Sequence, residues 1–303
     1  MAPVRSTSPA RILSGQTFLL ACLVLAGFLP PGAFSQTAKD LTAAPSIGAA
    51  IAASPPAVAP SLPDAPAPQT PAEPSQVPEP VAAVTLRETP LNILKDQGAI
   101  WTSPVRLRER DLRWIVPLGL AATVAITTDH QAMSSVVSRD TQFNHANVVA
   151  SNVLLGGFIA APGVLFSKGQ LLNAPRAREA GILGGEALVD GFVVEQGLKL
   201  IFWRERPLLD DSKGKFFQGS AGNVGSSFPS GHSVLAWSSA AVLAEEYPAW
   251  WQQAGIYSLA AGVSATRVLG QKHFPSDVLV GSAAGWLIGH YVSRKHHRFR
   301  PSS

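Results

Sequence analysis

Cysteine is almost missing from this 303-residue chain: Cys22 is the only one, and it sits inside an apolar run near the N-terminus. The rest of the chain therefore has no thiol, disulfide or cysteine-held metal. Charge is also scarce, at 15% of residues, and it forms no long block of one sign. The balance is basic, with a formal charge of +4 and a pI near 9.4. The arginines are dispersed, however: Arg106, Arg108, Arg110 and Arg113 in one stretch, others near residue 177, and a few at the C-terminus. They are not interleaved with aromatics as in a nucleic-acid surface, so no nucleic acid is expected as partner. No segment alternates apolar and polar residues as a half-buried strand does. No repeat of solenoid period is visible.

Proline is abundant but unevenly placed. Eleven prolines fall between Pro45 and Pro80, mixed with alanine. Such a stretch favours extended conformations and offers no periodic apolar face, so it reads as a spacer. Before it come Arg5 and Arg11, an apolar run from Phe18 to Leu29, and Ala33-Phe34-Ser35. A charged start, a short apolar stretch and a small-x-small site are the parts of an export signal. The run is shorter than the roughly 20 residues of a permanent span. The expected organisation is thus a signal over 1–35, a Pro/Ala-rich linker over 36–86, one folded domain over 87–294 and a basic tail over 295–303. An uncleaved anchor is the alternative for the first segment. The signal implies an exported, periplasmic protein.

Within the domain six apolar stretches are long enough for helices: 112–128, 148–166, 178–203, 230–246, 249–269 and 276–294. They predict an all-α bundle. Ser103-Pro104 looks like the start of a further short amphipathic helix. Small residues, among them Gly156, Gly157, Gly184, Gly185, Gly262, Gly281 and Gly285, suit close helix contact. Glu186, Asp190 and Glu195 in the third stretch argue against a helix facing lipid. The basic residues flanking the helices argue for spans. On balance the sequence points to an exported helical domain associated with a membrane, and an integral inner-membrane protein is the alternative. Trp250 and Trp251 fit either a membrane interface or a packing cluster at a helix end.

Three segments carry chemistry. In the first, Lys199 and Arg206 are seven residues apart and Pro207 follows, which predicts two cations on one helical face before a loop. In the second, Ser230-Gly231-His232 opens a helix, where unpaired N–H groups and the positive dipole end suit a phosphate. Ser230 is either an anion donor or an ordinary N-cap. In the third, Arg267 ends one helix, and His273 precedes Asp277 at the start of the next. A carboxylate beside an imidazole orients it, and a neutral oriented histidine is a plausible nucleophile.

Lysine, six residues, arginine-proline; proline-serine-glycine-histidine; arginine, five residues, histidine, three residues, aspartate: this series resembles the type 2 phosphatidic acid phosphatase and vanadium haloperoxidase superfamily. Thr266 stands where that family usually has serine, and it keeps the hydroxyl. The resemblance implies the six-helix fold of that family and a metal-independent hydrolysis of phosphate monoesters, with no cofactor. It makes His273 the nucleophile, Asp277 its orienting group, and His232 the acid that protonates the leaving alcohol. Lys199, Arg206, Arg267, Ser230 and Gly231 would bind the phosphate oxygens. The substrate class it implies is a lipid phosphate or isoprenyl diphosphate. A broad-specificity exported acid phosphatase and a vanadate-dependent haloperoxidase are the alternatives.

Overall fold

A computed structural model of the chain describes residues 84–218 and 225–296. The expected signal and nearly all of the proline-rich linker lie outside these residues. The described residues contain seven α-helices and no strand: α1 (Thr89–Thr102), α2 (Glu109–Gln131), α3 (Thr141–Leu171), α4 (Pro175–Phe202), α5 (Gly231–Glu246), α6 (Trp250–Leu269) and α7 (Pro275–His296). The all-α expectation holds. All six expected helices are present, α2 to α7, and several extend by a turn or more beyond the expected bounds.

Local chemistry sets several ends. Asp140 caps α3, its carboxylate accepting from the Phe143 N–H at 2.7 Å. Pro175 occupies the first turn of α4, where its missing N–H costs nothing. Helix α4 stops at Trp203, whose φ of 39° is left-handed.

The helix expected after Ser103 is only a 3-10 turn, Ser103–Arg106. The additional helix lies upstream, as α1. Apolar periodicity misses it because its buried residue is Asp96. Helix α1 turns a polar face inward: Asn92 donates to Glu186 (3.2 Å) and Gln97 to Asp190 (2.8 Å). Glu186, Asp190 and Glu195 on α4 are therefore buried in protein, and none faces lipid. This agrees with the expectation that these charges do not face lipid: α1 and the bundle cover them.

Helix α5 runs through the centre and packs on α3, α4, α6 and α7. Its closest neighbour is α7, and Gly285 is the reason. A methyl group there would lie 2.3 Å from the Val234 carbonyl oxygen of α5. Gly156, Gly157 and Gly185 face open space, so not every small residue serves packing. Backbone cannot retreat as a flexible side chain can. We expect Gly285→Ala to destabilise the domain by about 1–3 kcal/mol, read as a lower thermal unfolding midpoint. An unchanged midpoint would mean that α5 and α7 separate without cost.

Outside the bundle, apolar side chains remain exposed. Helix α2 presents Trp114, Val116, Leu120 and Val124, and α3 presents Val149, Val153, Ile159 and Val164. Among the described residues α3 alone is long and apolar enough to cross a membrane. Trp250 and Trp251 are 76% and 62% exposed, so they do not form a packing cluster.

Candidate active site

The ends of four helices and two loops meet at one end of the bundle. Lys199 lies in the last turn of α4 and pairs with Glu195 one turn back. Arg206 is not on that helix. The left-handed Trp203 ends α4 first, so Arg206 lies in the loop beyond and does not share a helical face with Lys199. Arg206 donates to the Gly225 and Lys272 carbonyls, both at 3.4 Å. The second of these contacts brings it to the loop that carries His273.

Between these two cations, Arg204 turns inward and is 3% exposed. Its Nη1 donates to Asp277 Oδ1 (2.6 Å) and Ser276 Oγ (2.6 Å), Nη2 to Asp129 Oδ2 (2.7 Å), and Nε to the Gly214 carbonyl (3.1 Å). Phe216 and Phe274 stack on the guanidinium at 4.6 and 4.1 Å. One side chain thus ties α2, the loop after α4 and the start of α7 together.

Ser230 caps α5, accepting from the Ser233 N–H, and is fully buried. Its own N–H donates to the Asp277 carbonyl at 3.0 Å, which fixes the first turn of α5 against the first turn of α7. Of the two expected roles, the cap is the one this geometry displays. A Cβ on Gly231 would lie 2.5 Å from Glu195 Oε1, so glycine lets the carboxylate that holds Lys199 approach the helix end. His232 follows, with Nε2 2.9 Å from Asn152 Oδ1 of α3.

Arg267, in the last turn of α6, is 7% exposed. Its Nη1 donates to Ser151 Oγ at 3.3 Å, whereas its Nε has no hydrogen-bond partner among the described residues. A buried guanidinium with a free N–H is a costly arrangement unless an anion completes it. Burial and the nearby Arg206 push its pKa down to about 10. Thr266 donates back to the Gly262 and Val263 carbonyls within α6.

His273 is 2% exposed. Its Nδ1 lies 2.8 Å from the Ser227 carbonyl and 3.6 Å from Asp277 Oδ2. A carbonyl can only accept, so the proton is on Nδ1 and the Nε2 lone pair is free. The orienting hydrogen bond therefore comes from Ser227. At 3.6 Å, Asp277 is an electrostatic neighbour and not a hydrogen-bond partner. It acts through its contacts, accepting from the Ser227 hydroxyl and from the Phe274 N–H (2.9 Å) on either side of the ring's anchor. Burial lowers the His273 pKa, and Arg267 and Arg206 add to this against the opposing pull of Asp277. His232 is pushed down to about 3, first by burial and then by Arg267, His273, Lys199 and Arg206. All these groups act on the same ring, so Lys199, Arg206, Arg267 and His273 form one cluster of charge and imidazole around His232. The other described histidines contribute nothing there; His290 pairs with Glu245 and His296 with Asp96.

A sequence model of the PAP2 superfamily matches residues 180–301, the segment that supplies Lys199 through Asp277. The match thus covers the C-terminal part of the helical domain, from within α4 onward. The chain is 35% identical over 108 residues to the "Lipid A 1-phosphatase" of Porphyromonas gingivalis, covering 35% of this chain and 21% of that protein. The chain thus spans about a fifth of the length of that curated relative. It also aligns with the crystal structure of a "transmembrane PAP2 type phosphatidylglycerolphosphate phosphatase" from Bacillus subtilis. That alignment has a TM-score of 0.39 and 21% identity, over 71% of this chain and 98% of the other.

Several groups of the candidate site escape sequence reasoning. Ser151 and Asn152 come from α3, outside the matched segment. Asp129 comes from α2, and Arg204 sits between two motif positions. None has a periodic or spacing signal. Only Arg204 offers a hint, as a third cation between Lys199 and Arg206.

Proposed function

We propose that the helical domain hydrolyses phosphate monoesters through a phosphohistidine and that its substrates are lipid phosphates. One observation carries the reading: the buried Nε of Arg267 has no hydrogen-bond partner among the described residues and sits in a cluster of two imidazoles and two further cations, a setting that suits an anion. Lys199, Arg206, Arg267 and the N-terminus of α5, opened by Ser230 and Gly231, would hold the phosphoryl oxygens. Phosphoryl transfer asks for positioning and charge stabilisation above all, which three cations and a helix end supply.

In the first step the Nε2 lone pair of His273 attacks phosphorus and the P–O bond to the alcohol breaks. His232 gives its proton to the departing oxygen. In the second step the neutral His232 takes a proton from water, the hydroxide attacks phosphorus, and the P–N bond breaks. Inorganic phosphate leaves with both histidines restored.

The apolar flank of α2 and α3 supports a lipid substrate and a place against a bilayer, and the signal-like N-terminus supports the exported side. Phosphate release from a short-chain ester compared with a micellar lipid phosphate tests the substrate class. Preference for the lipid is expected; equal turnover would favour a broad-specificity acid phosphatase. Excess EDTA should leave the rate unchanged, and loss of activity would demand a metal site.

The pKa of His232 yields a further expectation. In the empty pocket burial and cations hold the ring neutral above about pH 3. A bound dianion reverses the local field and favours the charged ring. Between the free and bound pKa values, binding must then take up a proton, and affinity must fall as pH rises through the bound value. Sulfate does not itself titrate near neutrality, so it isolates this effect. Its binding heat at pH 6 should vary with the ionisation heat of the buffer; a buffer-independent heat would remove His232 from the anion site.

A further inference from the structure

We propose that Asn152 is the positioning residue of His232: its amide oxygen holds the Nε2 proton, which leaves Nδ1 to exchange the working proton with the leaving alcohol and with water. The inference rests on the phosphatase reading above and assigns a task to a residue outside the matched segment.

The geometry is specific. Asn152 Oδ1 lies 2.9 Å from His232 Nε2. The two residues are 80 positions apart and come from different helices. Helix α3 delivers two neighbouring residues to the site. Ser151 is buried and bonds Arg267 beneath the pocket, whereas Asn152 is exposed at the rim. The offset follows from helix geometry, in which consecutive side chains point about 100° apart. An amide oxygen accepts, so the Nε2 proton stays in place whether or not Nδ1 is protonated. The ring can act as acid and then as base without turning.

The two histidines have different supports because their tasks differ. His273 works from a single state, neutral with Nδ1–H, and has the Ser227 carbonyl and the nearby Asp277. His232 must alternate. The groups facing it are Lys199 from α4, Arg206 from the loop after α4, Arg267 from α6 and His273 from the loop before α7. A carboxylate at position 152 would oppose these cations and hold the ring charged in the empty site, which would weaken it as a base in the second step. A neutral amide orients the ring and leaves its protonation to the substrate's own charge.

Asn152→Ala and Asn152→Asp test this directly. The side chain is exposed, so neither change threatens the fold. A general acid matters most when the leaving group is poor. Asn152→Ala should lose about 10- to 100-fold in kcat/KM, which reports the first step, on butyl phosphate, but less than about threefold on 4-nitrophenyl phosphate. A merely structural lesion would lower both equally, and that outcome would overturn the proposal. Asn152→Asp should move the alkaline limb of kcat on butyl phosphate up by about one pH unit or more; an unmoved limb would also overturn it. The His232 ring can be followed by nitrogen-15 NMR with sulfate bound, which needs no turnover. If the wild type released phosphate from no ester, the phosphatase reading would fall on its own. The NMR midpoint would still decide the pairing: a rise in Asn152→Asp sustains it, and an unchanged value refutes it.

Discussion

Replacing His273 with alanine is expected to reduce phosphate release by about 10⁴-fold or more, to the limit of detection. Its ring supplies the attacking lone pair in the proposed mechanism, and no other described side chain in the pocket can stand in. His232 is held at Asn152, and the remaining groups are cations without a free pair. Binding should suffer much less, because Lys199, Arg206 and Arg267 remain. Sulfate affinity within a few-fold of wild type, with phosphate release gone, is the combination expected. Asp277→Asn should reduce the rate without abolishing it, since the Ser227 carbonyl still orients the ring. Full activity in His273→Ala would dismiss the phosphohistidine; loss of sulfate binding in the same variant would mean that the ring shapes the anion pocket.

The second large effect concerns stability. Arg204 pairs with two carboxylates that are 1% and 0% exposed, Asp129 and Asp277. Removing one partner of a buried pair leaves uncompensated charge, at a cost of about 3–5 kcal/mol. Arg204→Ala should therefore lower the unfolding midpoint by about 10 °C, given roughly 2–4 °C per kcal/mol for a domain of this size. Lys213→Ala breaks a half-exposed surface pair with Asp210 and should change little. Equal midpoints for the two variants would show that the buried network contributes no stability.

A pH dependence follows from the same network. Burial alone would raise the Asp277 pKa, but His273, Arg204 and Ser227 outweigh it and hold the carboxyl below its ordinary 3.8. A carboxyl that titrates lower when folded contributes its full stability above the unfolded pKa. It loses that contribution as pH falls toward the folded value. The Asp277 share of the wild-type stability should thus fade below about pH 4, while Asp129, which burial raises above its ordinary value, works in the opposite direction; Arg204→Ala, already without the pair, should lose less.

Sequence alone was sufficient for the helical class and for naming eight candidate site residues, because both rest on local pattern. Apolar period marks a helix whatever surrounds it. Ser230-Gly231-His232 before an apolar run and Arg267 to Asp277 across a short loop carry their spacing in the chain itself. Two inferences failed where a contact replaced a pattern. Helix α1 was invisible because it buries Asp96 and turns Asn92 and Gln97 onto α4, the reverse of an amphipathic stripe. Arg206 was expected two helical turns after Lys199, but a left-handed Trp203 ends the helix between them.

The residues that steer the two rings lay beyond any reading of the chain. Ser227 lies 46 positions from His273, and Asn152 lies 80 from His232. Asp129 stands 75 from Arg204. These groups act only through hydrogen bonds about 3 Å long, from a backbone carbonyl in the case of Ser227, and such bonds exist only once α2, α3, α5 and α7 are packed. Residue types and spacings near in the chain determined which chemistry is available. Tertiary packing decided which nitrogen of each imidazole is free, because a ring's tautomer is set by the acceptor it meets and not by its neighbours in sequence.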